Sequence, residues 1–158
     1  MFVTCDLYDV HGEALGVLPT GLRHFGGRVQ FHGPAVTVKT HEVNTRVREL
    51  ANQPGAGRVM VVDGGGSDRR ALMGDVIAGL AAGNGWAGAV IFGAVRDVAE
   101  LRKLDLGIMA LAATPARCVR AGEGEVGCPV VIGGVRVNPG DMIVADQDGV
   151  IVAPPGLI

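Results

Sequence analysis

Asp75, Arg96 and Asp97 are the residues of this chain whose types and spacing best suit chemistry at a single site. Twenty residues, VIAGLAAGNGWAGAVIFGAV, lie between Asp75 and Arg96, and none of them is charged. An apolar stretch thus carries a carboxylate at its start and a guanidinium–carboxylate pair at its end. If the chain folds back between those ends, the three groups share one polar rim. Asp97 is a hard oxygen ligand of the kind that holds Mg²⁺ or Mn²⁺, with waters filling other positions. Arg96 offers a planar fork that clamps a carboxylate in a way lysine cannot. Gly74-Asp75 opens a predicted helix, so the free N–H groups of Val76 and Ile77 make an anion site. Asp75 beside them can serve as a base, directly or through water. Together these groups suit a metal-assisted reaction on a small anionic substrate. Structural roles compete with this reading. Asp75 is a good helix cap, and Arg96-Asp97 can be a surface pair starting a helix, with Glu100 one turn on.

The elements that must position these residues can be read around them. An apolar run this long could span a membrane, but Asn84-Gly85 in its middle is a helix-stop and turn signal. A helix from Asp75, a turn, and a buried strand over 87–92 account for the five glycines, and a span does not. Arg96-Asp97 then opens a predicted helix, DVAELRKL, with Val98, Leu101 and Leu104 inward, and LGIMALA (106–112) is the next strand. Upstream, residues 4–10 read as a short helix with Thr4 as its cap, and 12–34 as irregular. PAVTVKT (34–40) alternates like a strand. Asn44 caps a helix to about Asn52, with Val47 and Leu50 on one face, and RVMVVD (58–63) is a buried strand. From Val130 the pattern turns purely β. VVIGGVRV, MIVAD and VIVAP are predicted as three strands separated by turn signals, forming a β-rich flap on α/β layers.

Other candidates carry weaker signals. Gly64-Gly65-Gly66-Ser67 follows a strand, but it is neither a dinucleotide fingerprint nor a P-loop; Asp63 is read as capping that loop. His11, His24, His32 and His41 show no zinc-binding spacing. Lys39 is a conceivable Schiff-base lysine, read instead as a solvent-facing strand residue, and Lys103 falls on the polar side of its helix. Asp146 and Asp148 read as hairpin turn residues. Cys5, Cys118 and Cys128 are odd in number and lack metal spacing, which favours reduced core thiols.

Composition narrows the function classes. With 158 residues, one domain (1–158) is expected. Aromatics are only 4 %, so the core must be aliphatic. A net charge of −2 argues against a broad electrostatic footprint for nucleic acid. The opening residues show no charged-then-apolar leader, so a cytoplasmic location is expected.

The chain resembles the RraA-like family, which includes the metal-dependent 4-hydroxy-4-methyl-2-oxoglutarate aldolases. The resemblance is strongest over RVMVVDGGGSDRRALMGD (58–75), NGWAGAVIFGAVRDVAEL (84–101), LGIMALA and VNPGDMIVADQDGVIVAP (137–154). The D-x20-R-D-x2-E/D spacing that marks the catalytic branch is met by Asp75, Arg96, Asp97 and Glu100. The resemblance implies an α/β protein with a β/β/α fold similar to a swivelling phosphohistidine domain. It implies a homotrimer, sometimes paired into a hexamer, with the active site in the cleft between subunits. Gly74, Asp75, Val76 and Ile77 would hold the substrate, Arg96 would bind its carboxylate or keto end, and Asp97 would hold the metal. Such aldolases yield two pyruvates and many also decarboxylate oxaloacetate. Some longer relatives supply an acidic residue from a neighbouring subunit's C-terminal region; no Glu follows Glu125 here, so that contribution is either absent or made by an Asp. The family also contains a regulator that binds and inhibits RNase E, in which the Asp after the clamping Arg can be replaced. A third reading, an S-adenosylmethionine-dependent methyltransferase using Gly64–Gly66, lacks the fingerprint and the doubly wound sheet it needs.

Overall fold

Three neighbouring strands, over 59–63, 88–95 and 107–113, read as nearly unbroken apolar runs because both of their faces are covered. The computed structural model describes residues 1–158. In chain order its elements begin with α1 (Thr4–His11), a 3-10 turn (Gly12–Ala14), β1 (Gly16–Val17), β2 (Arg23–His24), β3 (Phe31–Lys39) and α2 (Thr45–Ala51). They continue through β4 (Val59–Asp63), β5 (Ala71–Met73), α3 (Asp75–Gly83), β6 (Gly88–Val95), α4 (Val98–Leu101) and β7 (Gly107–Ala113). The chain closes with β8 (Glu125–Val126), β9 (Val130–Ile132), β10 (Val135–Val137), β11 (Met142–Asp146) and β12 (Gly149–Ala153).

The main sheet runs β1-β12-β11-β3-β4-β6-β7-β2, with β5 added to β6 and β8 to β3. β3, β4, β6 and β7 are mutually parallel, and β11, β12 and β1 extend the sheet antiparallel from β3. Alternation along the parallel strands divides the core in two. Val38, Met60, Val62, Ala89, Ile91, Ile108 and Ala110 pack under the helices with Val47, Leu50, Ile77, Ala81 and Leu101. Val59, Val61, Val90 and Met109 face Val130, Ile132, Val137, Ile143 and Val152 from the C-terminal strands. The result is a mixed α/β structure layered as helices, parallel strands and β-structure.

Close approach decides some residue choices. The Phe31 ring lies on the backbone of Gly88 and Gly107 in adjacent strands, where a Cβ would come within 2.5 and 2.0 Å of it. Trp86 is buried, donates Nε1–H to the Gln53 carbonyl at 3.1 Å, and is covered by the Arg58 guanidinium 5.0 Å from its ring centroid.

Several expectations need correction. The predicted strand VVIGGVRV is two strands, β9 and β10, because Gly133 and Gly134 take positive φ and reverse the chain. The C-terminal strands are no flap, since β11 and β12 are integral to the main sheet. Thr4 is not the cap of α1; Val3 holds that position, and Thr4 is the first helical residue. The helix after Asp97 is one turn long. β5 is unanticipated, its three residues being too few for a periodic signal. No helix is long and apolar enough to cross a membrane.

Candidate active site

β5, β6 and β7 lie side by side and parallel, with Met73 opposite Val95 and Val95 opposite Ala113. Their carboxyl ends therefore open at one place, and the next residues are Gly74-Asp75, Arg96-Asp97 and Thr114-Pro115. Two bonds fix these exits: Arg96 N–H donates to the Met73 carbonyl and Thr114 N–H to the Val95 carbonyl, each at 3.0 Å. Loops held on a rigid scaffold of this kind commonly carry binding and catalytic residues.

Asp97 forms the sharpest corner there. It takes the left-handed conformation (φ 59°, ψ 43°), which Asp tolerates better than most residues but which still costs about 1 kcal/mol. Its carbonyl accepts from the amides of Glu100 and Leu101, both at 2.9 Å. Its side chain does not cap α4. It turns instead to α3, where Oδ2 accepts the Asp75 main-chain N–H at 3.1 Å. Arg96 Nε stands 3.9 Å from the same oxygen. Asp97 Oδ1 has no hydrogen-bond partner in the chain. Both side chains are about 40 % exposed, so they are held but reachable. Gly74 makes this packing possible: a Cβ there would lie 2.6 Å from Asp97 Oδ2 and 3.1 Å from Arg96 Cγ.

The cap of α3 is Gly74, not Asp75. Asp75 is the first helical residue and its carboxylate makes no capping bond, so the structural cap role does not apply. The carboxylate is exposed at the cleft. The amides of Val76 and Ile77 have no acceptor in the chain, while Ala78 already bonds the Gly74 carbonyl. Residues Gly74 to Ile77, Arg96 and Asp97 thus border one cleft of about 310 Å³. Arg48 of α2 and Arg117, from the segment after β7, border it too. A second hollow of about 280 Å³ shares Arg96 and Asp97 and adds Val98, Thr114 and Pro115. Sequence reasoning missed Arg48 and Arg117, since neither belongs to a motif. The only available signal was their position, one on the polar side of an amphipathic helix and one just after a strand.

Nowhere do three or more His, Cys, Asp or Glu side chains converge as a metal cage. A divalent cation on Asp97 would take most of its ligands from water and substrate. That donor set fits Mg²⁺ or Mn²⁺, which keep waters and need only one or two carboxylates, and does not fit tetrahedral zinc. The unbonded Oδ1 beside an anchored Oδ2 is the position such an ion needs.

The remaining candidates separate from this cleft. Glu100 pairs with Lys103 at 3.1 Å and does not border it. Asp63 Oδ1 accepts the Gly65 amide at 2.9 Å, as its capping role required. The amides of Gly64 and Gly66 both bond the Phe92 carbonyl, leaving no free cradle for phosphate. Lys39 is exposed. All three cysteines are free, and burial pushes the Cys118 thiol up, away from thiolate. Asp146 does bond its own turn through the Asp148 amide, yet it is also a buried anchor. Its oxygens accept the Thr4 amide and hydroxyl, each at 2.8 Å. A mainly apolar hollow of about 350 Å³ beside α1 has Asp9 and Asp148 in its lining but no basic group to bind an anion. Its Cys5 thiol is pushed up by the hydrogen bond to Asp148 and is a poor nucleophile.

Fold and cleft define a mixed α/β protein with a carboxylate–guanidinium site at the ends of parallel strands. Residues 4–152 match the RraA-like family, described as Aldolase/RraA, and the chain belongs to that family. A protein of Alkalilimnicola ehrlichii named "Putative 4-hydroxy-4-methyl-2-oxoglutarate aldolase" is 50 % identical over 155 residues, covering 98 % of this chain and 96 % of that one. Among solved structures, the RNA-processing inhibitor RraA from Thermus thermophilis is 44 % identical, with a TM-score of 0.94 over 99 % of this chain and 97 % of its own. A structure named as S-adenosylmethionine:2-dimethylmenaquinone methyltransferase, from Geobacillus kaustophilus, is 40 % identical, with a TM-score of 0.95 over the same shares.

Proposed function

We propose that this chain is a carbon–carbon lyase: a divalent-metal-dependent aldolase that cleaves 4-hydroxy-4-methyl-2-oxoglutarate to two pyruvates. Oxaloacetate decarboxylation at the same site follows from the shared pyruvate enolate. The observation that carries the reading is the meeting of Asp75, Arg96 and Asp97 at one cleft, in a chain half identical to relatives named as this aldolase.

The substrate's 2-oxo carboxylate is received by the free amides of Val76 and Ile77 at the positive end of α3. Arg96 binds the carboxylate or keto end. Mg²⁺ or Mn²⁺ on Asp97 would supply Lewis acidity at the keto oxygen. A water positioned by Asp75 takes the proton of the 4-hydroxyl. The C3–C4 bond then breaks. The hydroxyl-bearing half leaves as one pyruvate, and the bond's electron pair enters the other half as a pyruvate enolate. Arg96 stabilises the growing enolate charge. Protonation of the enolate carbon yields the second pyruvate, so atoms and charge balance. With oxaloacetate, loss of CO₂ leaves the same enolate.

The expected assembly is a homotrimer, or a hexamer of two trimers, in the cytoplasm. The test is pyruvate release with Mg²⁺ or Mn²⁺. Two pyruvates per substrate, stopped by a chelator, support the reading; no release with either metal would refute it.

A second reading is favoured by the 44 % identity to an RNA-processing inhibitor. On this reading the chain binds an RNase E-type nuclease and inhibits it through protein contact. Inhibition of that nuclease that survives Asp97→Asn would support it. A methyltransferase reading meets a physical objection. The parallel strands advance β3-β4-β6-β7 in one direction, without the reversal that opens a cofactor crevice in doubly wound sheets. Binding of S-adenosylmethionine in calorimetry would revive it.

A further inference from the structure

Three residues other than glycine hold a left-handed backbone: Glu42, Ala56 and Asp97. Ala56 lies in the turn ahead of β4, at the amino end of the parallel strands. Asp97 is the corner of the cleft, and its side chain is used there. Glu42 (φ 57°) stands on the same carboxyl-end rim, three residues beyond β3 and three ahead of α2. Glycine takes this conformation freely and asparagine readily, whereas glutamate is strained in it. A strained residue that persists directs attention to what its side chain does.

The Glu42 carboxylate is only 14 % exposed, and both of its oxygens are engaged. Oε1 accepts from Arg69 Nε at 2.7 Å and from the Ser67 hydroxyl at 3.0 Å, and Oε2 accepts from Arg69 Nη2 at 3.3 Å. The guanidinium thus meets it as a two-pronged fork, which fixes orientation as well as charge. These bonds join two loops. Residues 40–44 lead into α2, which brings Asn44 and Arg48 to the 310 Å³ cleft. Residues 64–70 lead into β5, and Ala71 and Gly74 border the same cleft. No other hydrogen bond joins residues 40–44 directly to residues 64–70. The reacting end of the cleft has anchors of its own: the Arg96 amide on the Met73 carbonyl, the Thr114 amide on the Val95 carbonyl, and the Asp75 amide on Asp97. None of them passes through Glu42, so a loosened clasp moves the α2 wall and leaves Asp75, Arg96 and Asp97 in place.

We propose that Glu42 is a positioning residue: clasped to Ser67 and Arg69, it sets how far the α2 wall stands from β5 and so how tightly the cleft closes on its substrate. It touches no reacting atom and takes no part in bond cleavage. The proposal rests on the aldolase reading for the reaction by which it is measured, and on geometry alone for the clasp.

Glu42→Gly separates this role from a merely structural one. Glycine relieves the backbone and removes the clasp, and the freed Arg69 side chain, already 73 % exposed, returns to water. The melting temperature should therefore stay within a few degrees. KM for 4-hydroxy-4-methyl-2-oxoglutarate should rise at least about 10-fold while kcat stays within about 3-fold, the pattern of lost binding rather than lost chemistry. Arg69→Gln should do the same, and the double variant should be no worse than either single one, because the two residues act as a unit. Glu42→Gln keeps Oε1 for Ser67 and for Arg69 Nε and should recover part of the affinity. Calorimetry with Mg²⁺ and 2-oxoglutarate, which lacks the 4-hydroxyl and cannot undergo the cleavage, reads the same loss without turnover. Unchanged KM and unchanged 2-oxoglutarate affinity in both Glu42→Gly and Arg69→Gln would overturn the clasp, as would a loss confined to melting temperature or to kcat. Normal pyruvate release by the unaltered protein would then leave the aldolase reading standing. Weakened 2-oxoglutarate binding in the variants, with no pyruvate release by the unaltered protein, would uphold the clasp and sink the aldolase. An unaltered protein that neither binds 2-oxoglutarate nor releases pyruvate would sink both.

Discussion

The Asp75 main-chain N–H donates to Asp97 Oδ2 at 3.1 Å, across 22 residues of sequence. One bond thus ties the start of α3 to the left-handed corner after β6. It orients the Asp97 carboxylate through one oxygen and leaves the other unbonded. It also withdraws the first amide of α3 from the anion site, which is left with Val76 and Ile77.

Asp97→Asn keeps a residue that accepts the left-handed backbone and removes the charge. It should lower pyruvate release by about 10²–10³-fold, as should Arg96→Ala, the usual scale for losing one electrostatic stabiliser. Size-exclusion elution should not change in either variant. Near-normal turnover would remove these residues from the mechanism.

Gly74→Ala probes the same corner sterically. The φ of Gly74 is −125°, so alanine meets no backbone strain. Its Cβ would lie 2.6 Å from Asp97 Oδ2 and must displace that carboxylate. Activity should fall at least about 10-fold while the melting temperature stays within a few degrees, because a misplaced group costs rate rather than stability. Steady-state kinetics beside a thermal melt separates the two effects.

Asp146 predicts an acid response. Burial alone would raise its carboxyl, but bonds from the Thr4 amide and hydroxyl and from the Asp148 and Gly149 amides prevail and hold it below the usual range. A carboxyl depressed in the folded state stabilises fully above its unfolded value of about 3.9, and the contribution is lost as pH falls through the lower folded value. Asp146→Asn puts an amide N–H where a donor already points. It should cost about 1–3 kcal/mol at pH 7. The gap to the unaltered protein should narrow below about pH 4. Urea melts at several pH values measure this directly.

Two glycines should respond oppositely to alanine. At Gly107 a Cβ would sit 2.0 Å from the Phe31 ring, so overpacking should destabilise by at least about 1–3 kcal/mol. At Gly79, inside α3, nothing lies within 4 Å, and alanine should stabilise by about 0.5–1 kcal/mol through helix propensity. Trp86 is buried and the only tryptophan, so its fluorescence reports both unfolding transitions.

The parts of this molecule legible in sequence are those with local causes. The Asn84-Gly85 turn, the β-branched run at 59–63 and the helix after Gly74 are dictated by residues close in the chain. The proximity of Asp75 to Arg96-Asp97 was legible only as a condition on the fold: a helix, a turn and a strand can return the chain to its starting level, and the parallel pairing of β5 with β6 meets that condition. Long-range pairing was not. Nothing near Asp146 announces that it binds Thr4, 142 residues away. The exposed-looking arginines at 48 and 117 gain their meaning only when α2 and the segment after β7 meet over β5. The length of the helix after Asp97 was misjudged because apolar spacing continued through Leu104, while the chain itself turned after one helical turn.

The most direct test of the central claim is metal-dependent pyruvate formation from 4-hydroxy-4-methyl-2-oxoglutarate by the unaltered protein and by Asp97→Asn. Chelation should abolish release by the unaltered protein, added Mg²⁺ or Mn²⁺ should restore it, and Asp97→Asn should stay inactive with either metal. Full turnover after chelation, trapping of substrate on Lys39 by borohydride, or an active Asp97→Asn would contradict it.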